Sequence, residues 1–231
     1  MGRIEAGQGG AGVGLVTARD RRRGGDSGKG GEVGEAIVVL RWGGPTGVIE
    51  WTMALGAAML VLGGAAAWLD GARSMMTDAI NSGRALLKFE EIISAQGGDT
   101  GVVRDPTRLP TAPRKLTFVA KREGVVRDVE PRAIGYGVIA LGGGRTDMEA
   151  KVDPSVGFVI TAKPGLHVAK GQPLATIHAR TKEDLAMGLS APDNAIVIGD
   201  SAGPALQLVR HRVKVRGGEK WAKLAAWDHI G

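Results

Sequence analysis

The chain has 231 residues, of which 43% are hydrophobic and only 4% aromatic, so one large domain or two small ones must build a core from Ala, Val, Leu and Ile. It has no cysteine, which excludes disulfides, thiolate zinc sites and a cysteine nucleophile, and which fits a reducing, cytoplasmic setting. Thirty Lys and Arg against 24 Asp and Glu give a net charge of +6, a mild basic excess that suits anionic partners in general without being diagnostic. The start, MGRIEAGQGGAG, has no apolar core and does not read as a secretory signal.

Residues 1–34 are rich in Gly and Arg and are expected to be poorly ordered apart from one strand, GVGLVT at Gly12 to Thr17. From Glu32 the segment EVGEAIVVL places Val33, Ala36, Ile37 and Leu40 at helical spacing, and Trp42-Gly43-Gly44-Pro45 ends it. Further helices are predicted from about Gly47 to Leu62, from Trp68 to Ser82, and from Gly83 or Arg84 to Ala95, with a glycine in Gln96-Gly97-Gly98-Asp99 closing the last. Residues 35–99 thus form a helical layer. The uncharged stretch Trp51 to Leu69 is nearly long enough to span a membrane. Its content of Ala and Gly, and Gly63-Gly64 where a helix would stop, favour a buried helix, so no membrane partner is expected.

Pro106, Pro110 and Pro113 mark a linker over 100–113. Beyond it, from 114 to 216, come short runs of strand character: KLTFVAK, GVVRDV, YGVIAL, GFVITAK, PLATIHA, NAIVIG and LVRHRVKV. Helices are expected to interrupt them around Pro131 to Gly137 and Thr181 to Leu189. Residues 217–231 form a tail without clear pattern apart from WAKLAAW. The predicted fold class is α+β (α/β): a helical layer followed by a β-rich, barrel-sandwich-like C-terminal domain. Arg210, Arg212, Lys214 and Arg216 fall on one strand face, which reads as charge protecting an edge strand rather than as a nucleic-acid strip, and no nucleic-acid partner is expected.

Short motifs add little chemistry. GQGGAG at Gly7 to Gly12 fits G-x-G-x-x-G but follows no strand, and GGDSGKG departs from the phosphate-loop pattern at Arg23 and Gly30. His167, His178, His211 and His229 lack zinc-site spacing, and no serine sits in a G-x-S-x-G elbow. The run Lys163 to Leu174 has the form K-x-G-x-x-V-x-x-G-x-x-L, an arrangement found in lipoyl and biotinyl carrier domains. No M-K-M or D-K-A tripeptide accompanies it, so it points to that kind of hairpin and not to a carrier function.

Several signatures then line up in order. They are Glu32-Val33-x-Glu35-Ala36-Ile37, Ser82-Gly83-Arg84-Ala85-Leu86-x-Lys88-Phe89, and Ala95-Gln96-Gly97-Gly98-Asp99. Leu141-Gly142-Gly143-Gly144-Arg145, Val152-Asp153-x-x-Val156-Gly157 and the Lys163 to Ala179 stretch follow. From about Val13 to Val213 this order resembles the C-terminal portion of the pyrimidine nucleoside phosphorylase family, which includes thymidine phosphorylase. The resemblance implies a pentosyltransferase that splits a pyrimidine nucleoside with phosphate into free base and pentose 1-phosphate. It also implies no organic cofactor, a homodimer, and a helical domain that closes on an α/β domain. Catalysis would rest on positioning and electrostatics.

The family's K-H-S-T-G-G and S-G-R-G phosphate-binding stretches and its R-x-x-x and S-x-x-x-K base-binding arrangement are absent from these residues. No catalytic or substrate-binding residue is therefore assigned, and the chain alone is expected to be inactive. The alternative is a non-catalytic binding or regulatory module that complements a separate N-terminal half. The residues that choose among thymidine, uridine, cytidine or a nucleoside monophosphate are missing with those motifs. Some family members bind potassium, and the residue matching the carboxylate ligand is Glu35. In isolation Glu35 reads as a solvated glutamate near a helix N-terminus. Arg145 is expected to be structural, paired with a carboxylate such as Asp147 or Asp153.

Overall fold

The computed structural model describes residues 24–203, together with the backbone of 12–17 and 209–215. The remaining parts of the Gly/Arg-rich start, the tail from 217 and the whole of Arg216 lie outside the described residues, as do the side chains of Arg210, Arg212 and Lys214. GVGLVT is strand β1 (Gly12–Thr17), and it pairs antiparallel with β9 (Val209–Val215).

Strand β2 (Asp26–Ser27) leads into helix α1 (Lys29–Val39). The helix starts earlier than its apolar periodicity indicates. The Gly30 amide donates to the Pro154 carbonyl at 2.9 Å, so contact with a distant segment adds a first turn that local pattern does not specify. Helices α2 (Thr46–Leu62), α3 (Leu69–Asn81) and α4 (Arg84–Ala95) follow the predicted bounds closely. Helix α4 ends as its sequence indicates. Gly97 takes φ 75°, its amide reaches Ser94 O at 2.9 Å, and the Gly98 amide reaches Ile93 O at 2.9 Å, which satisfies carbonyls the helix leaves open. Among the described residues no helix is long and apolar enough to cross a membrane.

The proline-marked segment is more ordered than a plain linker. It carries helix α5 (Gly101–Arg104) and a 3-10 turn at Pro106–Arg108, and it buries Val102 and Val103. Beyond it lie β3 (Arg114–Val119), β4 (Gly124–Val129), α6 (Pro131–Ala140), β5 (Gly157–Ile160), β6 (His167–Val168), β7 (Pro173–Ala179), α7 (Lys182–Gly188), α8 (Ser190–Ala195) and β8 (Ile196–Gly199).

One predicted strand is corrected. YGVIAL falls on α6 and its C-terminal end, not on a strand. The Glu130 carboxylate accepts from the Arg132 and Ala133 amides at 3.0 and 2.7 Å, and Pro131 presets the first helical φ. Gly137 on that helix lies against Ala191 and Phe158, with no room for a side chain. Helix α8 was also not predicted.

The strands form mixed α+β architecture, with all pairings antiparallel. They divide among a two-stranded sheet β1-β9, a four-stranded sheet β2-β5-β7-β3 and a three-stranded sheet β6-β4-β8, and none of these closes into a barrel. The main core lies here, with Phe158, Ile134, Leu174, Ile177 and Val126 almost fully buried. A smaller cluster of Ile37, Val102 and Val103 joins α1 to α5. Edge strands β2 and β3 of the four-stranded sheet precede and follow α1–α5, so the helical layer is an excursion between the two edges of one sheet.

Candidate functional site

Of the residues singled out from sequence, Glu35 lies near the middle of α1 and against the turn that precedes the helix. At the crossing of β2 and β5 the backbones are so close that a Cβ on Gly157 (φ 153°) would lie 2.0 Å from the Ser27 carbonyl. This contact, the β2–β5 pairing and the Ile160 amide on Gly25 O at 2.7 Å fix the Gly24–Ser27 turn against the C-terminal sheet.

Glu35 faces that turn. It is partly buried rather than solvated, and its Oε1 accepts from the Gly25 amide at 2.7 Å and from the Asp26 amide at 3.4 Å. The solvated-helix reading of Glu35 is therefore corrected: the chain preceding α1 folds back onto the carboxylate. A hollow of about 470 Å³ lies beside it, lined by Glu35, Asp26, Thr161, Lys163 and Val38 among others.

An adjoining, mainly apolar hollow of about 280 Å³ is lined by the α1 glycines Gly30, Gly31 and Gly34, by Leu109 and Phe158, and by His178. His178 lies on β7 opposite Lys115 of β3. Burial and then the Lys115 charge lower its pKa, favouring the neutral imidazole. His167 is exposed on β6. The side chain of His211 and all of His229 lie outside the described residues.

The expected pairing of Arg145 with Asp147 or Asp153 does not form. Asp153 pairs instead with Arg180, and its Oδ1 accepts from the Ser155 amide at 2.9 Å and hydroxyl at 2.6 Å. Burial would raise the Asp153 carboxyl, but hydrogen bonds from Arg180 and Ser155 with the Arg180 charge bring it down to about 2. The Asp147 carboxylate caps its own turn, accepting from the Glu149 amide at 3.0 Å. Asp99 of A-Q-G-G-D also has a structural partner that sequence reasoning missed. It accepts from Arg108 Nε and Nη2 at 3.0 and 2.8 Å and from the Gly101 amide at 2.8 Å, and the Arg108 bond holds its carboxyl below the usual range. An Asp two residues before a helix-starting glycine was the only local signal for that corner.

No group of three or more His, Asp or Glu placed to hold a metal ion occurs among the described residues. The arrangement positions backbone: carboxylates hold turns, and arginines hold two of those carboxylates, Asp99 and Asp153.

Residues 125–199 match the family model described as the pyrimidine nucleoside phosphorylase C-terminal domain. The chain is 41% identical over 184 residues to a pyrimidine-nucleoside phosphorylase of Staphylococcus epidermidis, a match covering 79% of this chain and 41% of that protein. It is 38% identical over 169 residues to one of Staphylococcus aureus, covering 73% of this chain and 39% of the relative. It is 35% identical over 175 residues to one of Bacillus subtilis, covering 76% and 40%. The chain spans about two fifths of the length of these curated relatives.

Proposed function

Since the chain carries the C-terminal domain of the pyrimidine nucleoside phosphorylases, we propose that it serves phosphorolysis of pyrimidine nucleosides as the scaffold of that reaction and not as its active site. The observation that carries this reading is identity of 41% over 184 residues to a protein named for that activity, in a chain that contains none of the phosphate- and base-binding motifs. The complete reaction joins phosphate to the anomeric carbon of the pentose and releases the base. Its demands are placement of two reactants and stabilisation of charge.

In this reading the chain contributes the Gly24–Ser27 turn, the α1–α5 layer and the C-terminal sheets, while a second segment supplies the substrate-binding groups. Pyrimidine nucleoside and phosphate are the substrates of the assembled enzyme. That enzyme works as a cytoplasmic homodimer without an organic cofactor, and a potassium ion near Glu35 belongs to it and needs ligands from the second segment. The purified chain incubated with thymidine or uridine and phosphate is expected to release no base. Release above the buffer rate, lost on Glu35→Ala, refutes the scaffold reading.

A second reading is a non-catalytic module that complements a separately encoded N-terminal half. It is favoured by the large apolar side chains left exposed on the helical layer: Met59 at 70%, Trp68 at 67% and Leu87 at 60%. Co-expression with the N-terminal three fifths of the Staphylococcus epidermidis relative, followed by co-purification and assay, tests it. A helical layer that stays exposed and a mixture that stays inactive sink this reading.

A further inference from the structure

Glu35 has more to do in this chain than offer a lone ligand. Its Oε1 is engaged by the Gly25 and Asp26 amides, the Gly25 carbonyl is taken by the Ile160 amide at 2.7 Å, and no third acidic or imidazole group joins them among the described residues. Hard cations are held by several converging oxygens, and among the described residues no group of three or more acidic or imidazole side chains gathers to supply them. The other carboxylate oxygen sits where Gly24 leaves space: a Cβ on Gly24 would lie 1.9 Å from Glu35 Oε2. Carboxylate and glycine are therefore fitted to each other.

We infer that Glu35 is a turn clamp in this chain and not a cation ligand: its carboxylate holds Gly24–Asp26 on α1 and thereby seats β2 against β5. The inference stands independently of the phosphorolysis reading, because its readout is stability. A hydrogen bond to an ionised carboxylate is among the stronger kinds, so Glu35→Ala should lower the melting temperature of the full chain by about 5 °C. Glu35→Gln keeps an acceptor for the two amides and should cost less. Gly24→Ala should cost no more than Glu35→Ala does, because its methyl group pushes the flexible carboxylate aside and so releases the clamp. In the Glu35→Ala background the same change should cost much less, so the two losses are coupled.

The melting temperature of the wild-type chain should agree within about 1 °C in potassium, sodium and choline chloride at equal ionic strength, and none of these shifts should depend on the cation. Three outcomes overturn the inference. One is potassium raising the wild-type melting temperature over choline by several degrees, with that gain gone in Glu35→Gln. The others are Glu35→Ala melting as the wild type does, and additive losses from Gly24→Ala and Glu35→Ala.

Discussion

The helical layer and the β-rich part bury their apolar residues very differently. The C-terminal sheets with α6–α8 enclose a cluster of eighteen buried residues, whereas the cluster under α1 and α5 has three. No residue of α4 is fully buried, its Leu86, Phe89 and Ile93 packing only in part on the smaller cluster, and α2, with the single charged residue Glu50, fully buries only Ala54, Ala57 and Ala58. The lesson is that an apolar helix is not by itself a core. A helix stripe becomes a core only where a second layer covers it, and in this chain that cover is far more complete over the β-rich part.

This contrast can be broken at several points. Phe158, 1% exposed and packed on the glycine face of α6, should be the most sensitive position: Phe158→Ala is expected to cost about 3–5 kcal/mol in denaturant unfolding. Ile37→Ala removes the central residue of the smaller cluster, whose neighbours are partly exposed and can settle inward, so about 2 kcal/mol is expected. A cost equal to that of Phe158→Ala would mean that the two regions do not differ as described.

The Asp153–Arg180 pair separates the regions by pH. The Asp153 carboxyl is depressed from 3.8 to about 2 in the fold, so its stabilisation is present above about pH 4 and is lost as pH falls through about 2. Arg180 is 67% exposed and screened by solvent, so the effect is of order 1 kcal/mol. Asp153→Asn should therefore cost about that much at pH 7 and progressively less as pH falls through about 2, measured as the difference between the two unfolding curves. The smallest effect belongs to the uncovered helices. Met59→Glu should change stability by no more than about 0.5 kcal/mol, as an exposed substitution does.

The same contrast decides what sequence could reveal. Helices α2–α4 were legible to within a residue or so because their ends are punctuated locally, by Pro45, Gly63-Gly64, Ser82-Gly83 and Gly97-Gly98. Tyr136 to Leu141 was not legible: V-I-A-L suits a buried strand as well as a helix, and the decision rests on Gly137 meeting Ala191 and Phe158, far along the chain. The start of α1 failed for the same reason, because Pro154 sets it. At the candidate site, Glu35 was reached through an ordered set of motifs, but its amide partners lie nine and ten residues back in a glycine-rich run with no pattern of its own. Arg180 was missed because Asp153, 27 residues away, has nearer cationic neighbours in sequence, including Arg145.

The path of the chain gives one more consequence. The excursion α1–α5 leaves from β2 and returns into β3, and these two strands are the outer members of the four-stranded sheet. If α1 detaches, β2 is drawn away with it, and β5 loses both the Asp26–Val159 pairing and the acceptor that Gly25 offers to the Ile160 amide. What is left is an unpaired strand edge carrying Phe158 and Ile160, a surface on which other chains can add strands. Helix α1 is thus the guard of that sheet edge, and its detachment would leave the edge open to pairing with another chain.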